Sequence, residues 1–240
     1  MPTNSTDPAV PFLPIQVDEA LVIVHKPAGM PAQADPSGDA DLLTAVRAAL
    51  DDPRIELVNR IDRPVSGLVL LARRPEVLAE LNRAMREREV VKVYRAIVEG
   101  RVELPAEGLM LEHHLVHDTH VHRARVDSTG ERTDAPSRLH VRVLTLGDRY
   151  SLLELQPEGG AFHQIRAQLG AWGHAIKGDV KYGARRGERG ADGPARSIAL
   201  HAHSLQFRHP VTGLQVAAEA PLPDGRLWHA LWPLAGTSAS

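Results

Sequence analysis

Two short apolar runs set close together constrain this chain more than any other feature. Ile55, Leu57 and Val58 form one and Leu68-Val69-Leu70-Leu71-Ala72 the other, and between them lies Asn59-Arg60-Ile61-Asp62-Arg63-Pro64-Val65-Ser66-Gly67. Runs this short, bounded by proline and glycine, read as buried strands joined by a loop. Asp62 therefore stands at the end of one strand and just before another, where a rigid scaffold presents chemistry. Arg60 and Arg63 on either side would favour its charged form. An ionised, positioned carboxylate serves as base, metal ligand or nucleophile toward an electrophilic carbon. The same stretch also reads as a surface aspartate in a salt-bridged turn.

The rest of the chain alternates between strand and helix signals. Residues 1 to about 15 are polar and proline-bearing and read as a flexible N-terminal arm, leaving 16–240 as one domain. Leu21 to His25 is a β-branched apolar run, ended by the turn formers Lys26-Pro27-Ala28-Gly29. Asp41 is suited to cap a helix carrying Leu42, Leu43, Val46, Ala49 and Leu50 on one face. Pro75 and Glu76 open a second helix with Val77, Leu78, Leu81, Ala84 and Met85 as its stripe. Val90 to Val98 reads as a strand with Lys92, Tyr94, Ala96 and Val98 on one face. Tyr94 there is either a packing residue with a wet hydroxyl or part of a site.

Short strands and turns follow from Leu109 to Val143, and Tyr150 to Leu155 is a clear strand. Phe162 to Trp172 has helical spacing with Ile165, Leu169 and Trp172 inward, and Arg166 lies close to its first turn on the side of His163. Ser197 to Phe207 alternates, Val211 to Ala218 reads as the last strand, and the tail reads as loop.

Composition narrows the function classes. With 28 Lys+Arg against 30 Asp+Glu there is no bulk polycation, so a nucleic-acid surface must come from local clustering. Residues 181–196 are such a cluster, with Lys181, Arg185, Arg186, Arg189 and Arg196 against Glu188 and Asp192. A merely solvated loop is the alternative. Cysteine is absent, which removes thiolate chemistry. No stretch approaches the apolar length of a membrane span, so a cytoplasmic protein is the expectation. His113, His114, His117, His120 and His122 crowd together. Strand alternation would scatter them over both faces of a hairpin, so the reading is solvent-facing histidines without a metal.

Several separated stretches together resemble one family. The Asp62 segment is similar to the Arg-Leu-Asp-Arg-x-Thr-Ser-Gly signature of the RluA-type pseudouridine synthases. Lys92-Val93-Tyr94-Arg95-Ala96 resembles that family's Lys-x-Tyr-x-Ala. His163-Gln164-Ile165-Arg166 with Gly178-Asp179 and Tyr182-Gly183 resembles its third motif, and His25-Lys26-Pro27-Ala28-Gly29 its opening Asn-Lys-Pro-x-Gly. The resemblance implies an α+β pseudouridine synthase fold, with a mixed, mostly antiparallel sheet in two halves, flanking helices and a central catalytic cleft. It implies isomerisation of uridine to pseudouridine in rRNA or tRNA by a monomer without cofactor or metal. Asp62 would be the nucleophile, Tyr94 would stack on the uracil and help remove the proton from its carbon 5, and Arg166 would pair with Asp62. Arg60, Arg63, Ser66, Lys92, His163, Gln164, Arg185, Arg186 and Arg189 would contact substrate.

The chain departs from the pattern at Asn59 and Gln168, each standing for a histidine, at Val65 for threonine, and at Ala161-Phe162 for Arg-Thr. No separate N-terminal RNA-binding module is expected. The competing readings are a catalytically impaired RNA-binding or chaperone protein on the same scaffold and a metal-dependent hydrolase built on the histidine cluster.

Overall fold

A computed structural model describes residues 11–187 and 197–232. Strands β1 (Leu13–Val17) and β2 (Leu21–Lys26) precede helix α1 (Leu42–Ala49), the two-residue β3 (Glu56–Leu57), β4 (Ser66–Ala72) and helix α2 (Pro75–Arg86). Then come β5 (Val91–Glu99), β6 (Leu109–His113), a hairpin of β7 (Leu115–Asp118) and β8 (Arg123–Val126), β9 (Ser137–Leu146) and β10 (Tyr150–Pro157). Helix α3 (Gln164–Ala171), a 3-10 turn over Val180–Tyr182, β11 (Leu200–Arg208), β12 (Gln215–Glu219) and helix α4 (Arg226–Leu231) complete the order.

Ten strands form one sheet in the order β1-β2-β4-β11-β5-β10-β9-β6, with β12 on β11 and β3 on β4, while β7 and β8 pair separately. The fold is α+β, and all pairings in the sheet are antiparallel except β4 with β11. That parallel contact spans only His201↔Ser66 and Ala202↔Gly67, and it is where the two halves of the sheet meet. Gly67 makes the contact possible. Its φ is +120°, and a β-carbon there would lie 2.3 Å from the Ala202 carbonyl oxygen.

Strand alternation divides the core between the two faces. Val22, Val24, Val69 and Leu71 join Leu42, Val46, Ile55, Ile61 and Val65 on one side. Leu21, Ile23, Leu68 and Leu70 meet Val77 and Leu81 of α2 and Phe207 on the other. Each such side chain contributes about 1.5–3 kcal/mol on burial. The loop carrying Asp62 is thus anchored to the first face by its own apolar neighbours. Local signals acted as expected at both early helices: Asp41 accepts the Thr44 amide at 3.0 Å, and Pro75 opens α2.

Several expectations are corrected. The arm does not extend to residue 15, because Leu13–Val17 pairs with β2 and Ile15 packs on the second core. The tail is not all loop: Trp228 and Leu231 dock α4 onto the first core. The last strand begins at Gln215. Strand β11 is buried almost continuously because it is sandwiched between β4 and β5 and also carries β12, so one-sided alternation does not apply. Helix α3 starts at Gln164 and is buried on every side through Leu169. Arg189 lies outside the described residues.

Candidate active site

Asp62 sits in the β3–β4 loop, held by buried Ile61 and Val65 on either side. The fully buried Lys26 at the end of β2 ties this loop to the turn that follows it. Its Nζ donates to the carbonyls of Pro27 (2.9 Å), Met30 (2.8 Å) and Arg63 (3.3 Å). Burial lowers the Lys26 pKa to about 7, against the pull of the Asp62 charge and with the push of Arg63.

Arg166 reaches Asp62 from α3. Its Nη1 donates to Asp62 Oδ2 at 2.9 Å, while Nε and Nη2 donate to Asp179 Oδ2 and Oδ1 at 2.7 and 2.9 Å. Burial of Arg166 opposes its charge, but the bonds and charge of Asp179, then of Asp62, more than offset this and hold the guanidinium protonated. Asp179 is itself buried, so the arginine is clamped by a bidentate pair and offers its remaining arm to Asp62.

His163, immediately before α3, holds a left-handed backbone with φ of 52°. A non-glycine residue there costs on the order of 1–2 kcal/mol. The conformation turns its ring toward the carboxylate: Nε2 lies 3.5 Å from Asp62 Oδ2, and Nδ1 is 2.8 Å from the Tyr182 hydroxyl. The phenyl ring of Phe162 stacks on the imidazole at 3.8 Å between centroids.

Tyr94 on β5 is the fourth member. Burial, then the Asp62 charge, raises its pKa and keeps the phenol protonated. Asp62, Tyr94, Arg166 and His163 are thus brought together, with Asp62 27% exposed and open to a ligand. The arrangement can present a charged carboxylate oxygen beside an aromatic ring.

The remaining expected contact residues are elsewhere occupied or elsewhere placed. Arg63 does not flank the carboxylate: Nε donates to the Gly29 carbonyl, and the guanidinium meets Ser37, Asp39 and Asp35. Neighbours in a loop point different ways, which spacing along the chain does not reveal. Arg60 is exposed and makes no bond among the described residues. Ser66 shares its face with Leu68 and Leu70, away from Asp62, and its hydroxyl pairs with His201 Nδ1 at 2.8 Å. Lys92 donates to the Gly159 carbonyl. Buried Gln164 donates to the Arg138 carbonyl at 2.9 Å, joining α3 to β9. Arg185 and Arg186 line a groove with Arg149, His174 and Lys177, a group that does not include Asp62.

The histidine-rich segment does not converge. Among the described residues no group of three His, Cys, Asp or Glu is placed to hold a metal. His113 meets Gln168, His114 lies 3.7 Å from Asp134, and the His117 ring meets Phe162 at a tilt of 36°. Three of the departures from the family pattern have structural partners. Asn59 accepts the Leu70 amide at 2.7 Å, Gln168 donates to Leu111 and Ser137 carbonyls, and Val65 is core. Asp179 was absent from the expected site because its role depends on Arg166, thirteen positions earlier. Its only signal was the Gly178-Asp179 pair.

Comparison with known proteins gives the family and the fold. Residues 20–171 match the RNA pseudouridylate synthase family. The chain is 33% identical over 227 residues to ribosomal large subunit pseudouridine synthase D of Nitrosomonas europaea, covering 90% of this chain and 63% of that protein. It is 32% identical over 207 residues to ribosomal large subunit pseudouridine synthase C of Vibrio cholerae, covering 85% and 64%. The chain spans about three fifths of the length of the curated relatives it matches. In three dimensions it resembles human RNA pseudouridylate synthase domain containing 1, with a TM-score of 0.72 at 21% identity over 96% of this chain and 97% of that one. The fold is that of the pseudouridine synthases. The chain belongs to the RNA pseudouridylate synthase family, in its RluA-type branch.

Proposed function

We propose that the protein isomerises a uridine of RNA to pseudouridine, with Asp62 as nucleophile, and that large-subunit ribosomal RNA is the first substrate to test. The observation that carries this reading is one carboxylate, bonded to a buried guanidinium at 2.9 Å, whose charge is felt by the half-buried phenol of Tyr94. The substrate choice draws on the names of the curated relatives, with tRNA as the alternative.

In this reading Asp62 attacks carbon 1′ of the ribose, and the N1–C1′ electron pair leaves with the uracil. The base turns, its carbon 5 attacks carbon 1′, and the Asp62 carboxylate is released. The proton on carbon 5 is then removed and N1 is protonated, so atoms balance without a cofactor. A single carboxylate suits this chemistry, because water must be excluded rather than activated as in glycoside hydrolysis. The flipped uridine costs a few kcal/mol of unstacking, which stacking on Tyr94 offsets. While Asp62 is charged it helps keep the Tyr94 phenol protonated; once the carboxylate is esterified that influence disappears, and the phenol gives up its proton more readily. Arg185, Arg186 and Arg189 serve as phosphate contacts, and the protein acts as a monomer in the cytoplasm. No helix among the described residues is long and apolar enough to cross a membrane.

The test is Asp62→Asn against large-subunit rRNA transcripts, with pseudouridine mapped by chemical labelling. Product should fall at least about 1000-fold while RNA binding survives; product formation by this variant would remove Asp62 as nucleophile. Replacing Arg185 and Arg186 by glutamine should make the salt dependence of that binding shallower. An unchanged slope would take both out of the interface.

A further inference from the structure

We propose that His163 is a positioning residue for Asp62: a neutral imidazole locked in its Nε2–H tautomer by Tyr182, which with Arg166 holds Oδ2 of the carboxylate and leaves Oδ1 to meet the ribose. The inference deepens the pseudouridine synthase reading and rests on it for its catalytic consequence, though not for the tautomer.

The tautomer follows from two hydrogen bonds and one charge contact. The Ala124 amide of β8 donates to the Tyr182 hydroxyl at 2.8 Å, and a backbone amide can only donate. The phenol's one hydrogen then has a single acceptor in bonding distance among the described residues, His163 Nδ1 at 2.8 Å. Nδ1 is therefore the lone-pair nitrogen and Nε2 carries the proton. The other end agrees, since a lone pair on Nε2 would face the negative Asp62 Oδ2 at 3.5 Å, whereas an N–H is attracted to it. Burial lowers the His163 pKa to about 4, assisted by Arg166 and Lys181 and opposed by Asp62, so the ring is neutral near pH 7.

The ring has little freedom to leave this pose. Phe162 stacks on it with an interplanar angle of 20°, and Tyr182 meets it edge-on at 5.6 Å. The left-handed backbone at His163 is the strain accepted to aim it. Both groups that approach Asp62 do so at Oδ2. Oδ1 makes no hydrogen bond among the described residues and is the oxygen free to attack. The amide that starts the relay belongs to the β7–β8 hairpin, which Lys181 also ties down through the His122 carbonyl. Docking of that hairpin is thereby coupled to the orientation of the carboxylate.

Two measurements on the full chain test this. With nitrogen-15-labelled histidine, long-range nitrogen–proton correlation spectra at pH 7 should show His163, assigned by its loss in His163→Gln, as the Nε2–H tautomer. Tyr182→Phe should release it toward a mixture. A wild-type Nδ1–H pattern, or no change in Tyr182→Phe, would overturn the relay even if the protein proves to modify no RNA. In pseudouridine formation, His163→Leu should lower kcat about tenfold with KM within about twofold, and His163→Gln, which retains an N–H donor, should recover part of the loss. Equal kcat in wild type and His163→Leu would refute the positioning role. Failure of the wild type to form pseudouridine would sink the enzyme assignment and leave the spectra to decide the relay.

Discussion

Arg166 is a buried cation with two carboxylate partners, and its orientation depends on both. Asp179 takes two of its N–H groups and fixes the plane, so the third points at Asp62. Removing one charge from a buried pair leaves the other uncompensated, which costs about 3–5 kcal/mol. Asp179→Asn should therefore lower the urea midpoint correspondingly and reduce kcat while RNA affinity stays near wild type. An unaltered midpoint would show that Asp62 alone suffices to hold the arginine. At this scale the sequence was legible in residue type and misleading in direction. Asp62 and Arg166 could be singled out, but Arg63 and Ser66, one and four positions beyond Asp62, turn to Asp39 and His201. A loop sends successive side chains along different vectors, and only the bonds they find settle which way.

At the scale of elements, the meeting of β4 and β11 depends on the absence of a side chain. Gly67→Ala would drive a methyl into the Ala202 backbone and also strain a φ of +120°. A cost above about 4 kcal/mol is expected, read as lost soluble yield or a collapsed melting transition. Gly130→Ala provides the control, because its φ is +71° but nothing lies within 4 Å of the added carbon. It should cost only about 1 kcal/mol; similar losses in both variants would mean that backbone conformation, not the junction, is what matters. Helices α1 and α2 were readable from spacing, each with a long apolar stripe and a start marked by the Asp41 cap in one and by Pro75 in the other. Helix α4 was not, since six residues hold too few turns for a period to emerge and Trp228 and Leu231 gain their meaning from the core they meet.

For the whole molecule, neutral histidines buried in the folded state make stability depend on pH. His163 and His203 are each lowered to about 4, the first by burial with nearby cations and the second by burial and then Arg95. Between pH 6.5 and 4 the unfolded chain takes up protons that the folded protein refuses. These histidines cost nothing above pH 6.5; the penalty to stability grows as pH falls and is complete below 4, at roughly 3 kcal/mol for each group. Urea unfolding should show this decline over that window, and His203→Gln should flatten it; an identical slope in the variant would place the titration elsewhere. Lys26 acts in a higher window, where stability gains as pH rises from about 7 toward the unfolded lysine value of 10.5.

Sequence alone determined that this chain makes strands from short β-branched runs, where most of them lie, and that one aspartate between two of them is set apart from the rest. These are local properties, written in side-chain shape and in periods of two and of 3.6. Tertiary structure alone decided which cation meets that aspartate, which of its oxygens is left open, and which nitrogen of His163 carries a proton. Those answers depend on groups more than one hundred positions apart, Asp62 and Arg166 among them, whose distances are set only when the half-sheets close on Gly67.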